Sequence, residues 1–367
     1  MAPPPERPAT ALPVGDPASL APVQPPSSAG APLSSADAAV LPPAGASLWR
    51  ALPSEIASQY PVWMLLILSL SMLNMALANL GTPRWDLAWQ IVFPFSVFAV
   101  FYGLRARHRP KLLAGAVLAA LLLLAVTATV FRPSPLARKQ LLLVYEFSNF
   151  VAFVPLAAHA LRYGRGTLAV FFGPALLYGV ALENGGIAMG YFDELAYELY
   201  FPGLVAPLAT MIGWVMVIYL CTFWTWQLRR SLPTLRTSPL LSAVAFALCG
   251  VLFDLQIDPV ATASGCWIWE ARLPAFWFGV PAINFVAWFC ALAPFGWGLF
   301  RTQMRHGIDE GAAWPQAAQR ELLGLTPVCL GLAAVLFLAI MATLEGGWNG
   351  PTYAILGEFL TGLWAKF

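Results

Sequence analysis

The chain has 367 residues, of which 59% are hydrophobic and 10% charged; soluble domains carry about 25% charged residues. So little polar cover excludes a water-soluble globule and indicates an all-α, polytopic membrane helix bundle. The net charge of +2, with no basic block beyond short loops, offers nucleic acid no surface.

The first 48 residues hold twelve of the 32 prolines among Ala and Ser. Such a segment cannot build a core and is expected to be disordered. It lacks a basic stretch followed by an apolar one, so it does not read as a signal peptide. Nine apolar runs of spanning length follow: 61–80, 87–104, 112–131, 141–161, 167–190, 203–226, 239–258, 276–299 and 325–344. Inside lipid each must satisfy its own backbone, which predicts nine transmembrane helices. Residues 49–140 carry the first three, 141–300 form a central membrane core, and 301–367 hold the last helix and a tail. Allotting the twenty Lys and Arg to alternate sides puts fourteen with the N-terminus and six opposite, so the N-terminus is expected in the cytoplasm.

Along these runs the cysteines (Cys221, Cys249, Cys266, Cys290, Cys329) form no CxxC pair and read as buried hydrophobes. Three histidines, His108, His159 and His306, are too few for a clustered-histidine iron site. No Gly-rich phosphate loop occurs. Neither metal nor cofactor is expected.

Carboxylates within apolar runs are costly and tend to face a cavity or one another. Glu146 lies near the start of the fourth run, Glu183 near the end of the fifth, Asp254 and Asp258 at the end of the seventh, and Glu345 after the ninth. With nine spans all five fall on one side of the membrane. Glu345 reads as a helix-end residue, whereas Glu183, Asp254 and Asp258 read as a site. Two segments look alike: after Glu183, aromatics and then Pro207 seven residues before Trp214; after Asp258, aromatics and then Pro281 seven before Trp288. A tandem duplication would produce this, and so would chance.

Asp254 and Asp258 are four apart and share a helix face. Pro259 is expected to end that helix just after them. Two close carboxyls in a dry site do not both ionise, so one keeps a proton. Trp267 and Trp269 follow, either as an interfacial belt or as π-faces that stabilise a cation by about 0.5–2 kcal/mol. An acid beside aromatic faces suits protonation of an alkene to a tertiary carbocation.

The stretch "DLQIDPVATASGCWIWE" followed by "WFGVPAINFVAW" resembles the signature of the membrane carotenoid biosynthesis family that includes the carotenoid 1,2-hydratases. The matching residues are Asp258, Pro259, Gly265, Trp267, Trp269, Phe278, Gly279, Val280, Pro281, Asn284, Phe285 and Trp288. An upstream element matches at Glu183, Gly186 and Gly190, and departs where Asp193 follows Phe192. The resemblance covers about residues 145–300. It implies addition of water to the terminal C1–C2 double bond of an acyclic carotenoid lying in the bilayer, without a cofactor, in company with other carotenoid enzymes. On it, Asp258 or Asp254 donates the proton, and Glu183 and Asn284 position the water or take its proton. Trp267, Trp269, Trp288, Trp214 and Phe278 surround the end group. A proton-coupled transporter, or a non-catalytic carotenoid-binding or assembly protein, remains open beside it.

Overall fold

The computed structural model describes residues 138–194 and 197–366. The Pro-rich tail and the first three apolar runs lie outside the described residues. The other six runs are helical: α1, Arg138–Arg162; α2, Arg165–Met189; α3, Leu208–Ser231; then, after a short α4 (Pro233–Thr237), α5, Pro239–Ser264; α6, Ala282–Arg305; and α7, Gln316–Leu344. Five of these, α2, α3, α5, α6 and α7, are long and apolar enough to cross a membrane. The described residues therefore show five spans where the sequence reading places six of its nine.

Local chemistry sets the ends. Ser238 caps α5 by accepting from Leu241 N at 3.2 Å, with Pro239 in the first turn, where its missing N–H costs nothing. Within α2, Pro174 cannot donate to the turn before it, and the helix widens into a π turn at Phe171–Ala175. Two boundaries differ from expectation. Residues 203–207 and 276–281 are apolar but not helical; α3 and α6 start only after Pro207 and Pro281, and the aromatic residues before them are loop and strand.

The core centres on Tyr219, Phe246, Phe295 and Phe300, all essentially inaccessible. Outward, α5 exposes Leu240, Leu248 and Leu252, and α7 exposes Val328, Leu332 and Val335. Aliphatic stripes at helical spacing on the outside of a bundle suit lipid and not water. These faces and the apolar spans make this an integral membrane protein.

The two ends of the bundle differ. At one, Arg229 and Arg230 meet Glu310, while Arg301, Arg305 and His306 converge on Glu321. At the other, loops 190–207 and 265–281 carry Arg272 alone as a cation. Those loops pair: β1 (Phe192–Asp193) runs antiparallel to β2 (Ile268–Trp269), with Phe192 opposite Trp269. A second ladder joins β3 (Ala275–Trp277) to β4 (Val280–Pro281).

The expected C-terminal tail contains a helix, α8 (Pro351–Trp364). Its 14 residues reach about 21 Å, short of the ~30 Å hydrocarbon core. Glu345 links α7 to it by accepting from Thr352 N at 3.2 Å and Thr352 Oγ1 at 2.6 Å.

Candidate active site

Two helix exits and two helix entries build the site. Helix α2 ends on Gly190 (φ 84) and α5 on Gly265 (φ 70), both left-handed. Each exit closes with the same two bonds: Tyr191 N to Gly186 O and Gly190 N to Ile187 O; Cys266 N to Ala261 O and Gly265 N to Thr262 O. This is the Schellman motif, which glycine fills without steric cost. Seven residues before each glycine stands a carboxyl, Glu183 on α2 and Asp258 on α5. The entries match as well. Pro207 (φ −62, ψ 149) and Pro281 (φ −72, ψ 150) hold the same extended conformation ahead of α3 and α6. Seven residues on from each, Trp214 and Trp288 stack on one another at 4.8 Å and 25°. The Pro-to-Trp spacing was legible in the sequence; the matching acid-to-Gly spacing was present too and went unread.

Between the units lies a cavity of about 460 Å³. Glu183, Asp258, Asn284, Trp214, Trp267, Trp269 and Trp288 all line it, and α7 closes another side with Ala333, Phe337 and Leu338. Asn284 Nδ2 donates to Asp258 Oδ2 at 2.5 Å and to Asp254 Oδ2 at 2.8 Å, so one amide holds both carboxyls. Asp254 stands behind the cavity wall, 0% exposed, and its Oδ1 has no partner among the described residues. Glu183 accepts from Trp214 Nε1. Trp269 Nε1 donates to Thr262 Oγ1 at 2.9 Å, and its ring meets Phe192 at 5.4 Å.

Several expectations need correction. Asp258 and Pro259 do not end their helix; α5 continues to Ser264, with Pro259 inside it. Proline removes the bond that the Leu255 carbonyl would receive, and Trp277 Nε1 donates to that carbonyl instead, at 3.2 Å. The indole supplies the missing donor and lets the helix run through, so the aspartates sit within a helix rather than at its exit. Phe278 does not line the cavity. With φ 48 beside Gly279 at φ 90, it forms the two-residue turn between β3 and β4, where both central residues need positive φ. Glu146 lies outside the cavity; its carboxylate accepts from Glu198 N and Leu199 N and pins the 190–207 loop. Arg272, the one cation of these loops, is held by Glu270 at 2.9 Å and Glu358 at 2.6 Å.

The sequence reading missed Glu194, which is 3% exposed and accepts from Thr210 Oγ1 at 3.1 Å. Burial, with the charge of Glu183 adding to it, holds Glu194 well above the usual carboxylate range. In sequence it sits among Asp193 and Glu198 and looks like loop charge; only the folded-back loop buries it. Thr210 lines the cavity at the position that Asn284 occupies in the other unit, three residues after the proline.

The partners of these acids are chemically uniform. Glu183, Glu194, Asp254 and Asp258 meet an indole, a hydroxyl and an amide, all neutral, and none makes a salt bridge among the described residues. A buried carboxyl without a cation is costly to ionise. The arrangement can hold protons, give them up at short range and shield a cation with aromatic faces.

A family model described as carotenoid biosynthesis protein matches residues 140–356, from α1 into α8. No curated protein and no solved structure matches the chain.

Proposed function

The chain belongs to the carotenoid biosynthesis protein family, and from that membership we propose that it is a carotenoid 1,2-hydratase. Water adds across the terminal C1–C2 double bond of an acyclic end group. Asp258, steadied with Asp254 by Asn284, delivers a proton to C2. The π electrons form the new C–H bond and leave a tertiary cation at C1. The stacked Trp214 and Trp288, with Trp267 and Trp269, face that cation. Water bonds to C1, and its spare proton passes to Glu183 across the cavity. One proton is spent and one recovered, and no electrons leave the substrate, so neither reductant nor oxidant enters. The cavity side is assigned to the non-cytoplasmic face, because the arginine-rich end is opposite.

The observation that carries this reading is the cluster of cation-free carboxyls around an aromatic-walled cavity. A redox enzyme would have no need of such a set. The test is expression in cells that accumulate an acyclic carotenoid. Products heavier by one water per reacted end, with an almost unchanged visible spectrum, are expected, since the hydrated bond lies outside the conjugated system. Unchanged mass, or a strong spectral shift, rules the reaction out.

A further inference from the structure

Among the described residues the cavity is not sealed all round. Of the residues that line it, Ala181 on α2 and Ala334 on α7 are exposed, while the others are buried or half-buried. Both belong to spanning helices, so this opening faces the lipid-covered side of the protein. Their neighbours outside are aliphatic: Leu177 on α2, and Leu332 and Val335 on α7, are all exposed. Ala181 and Glu183 both border the cavity, but two residues put them about 200° apart round α2, Ala181 exposed and Glu183 half-buried. The acid is thus close to the opening without standing in it.

Size points the same way. Along α7 the lining runs from Leu330 to Leu338, and along α2 from Ala181 to Met189. Each stretch rises about 12 Å, while an extended carotenoid is on the order of the ~30 Å hydrocarbon thickness. A volume of about 460 Å³ is at the lower end of pockets that enclose a drug-sized molecule, roughly 300–1,000 Å³. The cavity holds an end group and the first part of the polyene, and the remainder must lie outside.

We propose that Ala181 and Ala334 form a lateral portal through which the acyclic chain enters from the bilayer one end at a time, its remainder staying in lipid. This rests on the carotenoid reading for the identity of the occupant. The small side chains set the threshold, so substrates narrow at the end pass and a ringed end group is obstructed. Selection of acyclic ends would then come from the doorway as well as from the acid.

The test uses the full chain in lipid vesicles, with the variants A181C and A334C. The five native cysteines are buried. A maleimide on a long alkyl chain, confined to the bilayer, should label each variant several-fold faster than the parent protein. Loading the vesicles with an acyclic carotenoid should protect both positions, and a carotenoid ringed at both ends should not. In parallel, Ala334→Trp should lower conversion of the acyclic carotenoid by about tenfold or more, while Val335→Trp, one position round on the lipid face, should leave it unchanged. Labelling no faster than the parent, or labelling indifferent to the acyclic carotenoid, overturns the portal. Protection in a protein that hydrates no carotenoid upholds the portal and overturns the reaction instead.

Discussion

The unit from Gly179 to Trp214 and the unit from Asp254 to Trp288 are built alike: acid, left-handed glycine, aromatic strand, proline, tryptophan. They differ eleven residues before the glycine. In the second unit that position is Asp254, which shares the Asn284 amide with Asp258. In the first it is Gly179, where a Cβ would overlap the Cβ of Trp214. One unit surrounds its acid with a second carboxyl and an amide. The other gives up the second side chain so that an indole can close in and donate to Glu183. A paired carboxyl holds a proton ready to give, because both partners cannot ionise together. A lone carboxyl under an N–H donor is the better acceptor. On the proposed hydration, this asymmetry makes Asp258 the donor and Glu183 the acceptor, although the backbone makes them equivalents.

The largest expected effect breaks the donor half. Asp258→Asn keeps the shape and removes the acid, and turnover should fall by about 10²–10⁴-fold while membrane protein level and carotenoid binding persist. Glu183→Gln breaks the acceptor half and should cost about 10²-fold, measured as initial rate at equal protein. Asp254→Asn keeps an acceptor for Asn284 but removes the companion carboxyl; a smaller loss, about tenfold, is expected. The order matters more than the values. A Glu183→Gln defect larger than that of Asp258→Asn would exchange the two roles.

Gly179→Ala sharpens the comparison from the structural side. The added methyl meets Trp214, and overpacking of this kind costs about 1–3 kcal/mol. Thermal unfolding in detergent should show it as a lower midpoint, whereas Gly213→Ala, in open space on α3, should not. The smallest effect concerns Glu194. Unfolded, it ionises near 4.5, while the fold holds it well above that. Between those values the folded protein binds the extra proton, so stability falls as pH rises. Between about pH 5 and pH 8 the unfolding midpoint should decline more steeply for the parent than for Glu194→Gln.

How much of this was readable from the sequence depends on the range of the interaction. The six helices from 141 onward follow from apolar length alone, as does the co-location of Glu183, Asp254 and Asp258 at one end. Asp254 and Asp258 on one face follows from a spacing of four. What the sequence hid is long-range. Pro259 looks like a stop because the donor that replaces its missing N–H, Trp277, comes from beyond the next loop, 22 residues from the Leu255 carbonyl it serves. Phe278 reads as a substrate contact through the resemblance; that Phe278 and Gly279 make a two-residue turn depends on β3 pairing with β4, which the apolar run does not announce. Glu194 looks solvated until the loop folds over it. Trp214 meeting Trp288 requires knowing that two entries converge, which repeated spacing suggests but does not dictate.

The central claim is proton addition from a carboxyl followed by capture of solvent water. It is tested most directly by running the reaction in deuterated water enriched in oxygen-18, with lycopene or another acyclic carotenoid in the membrane. The account predicts one solvent deuterium on C2 and one solvent oxygen on C1 for each reacted end, and little or no such product from Asp258→Asn over the same time. An oxygen traced to O₂, or a product whose C2 carries no solvent hydrogen, would contradict it.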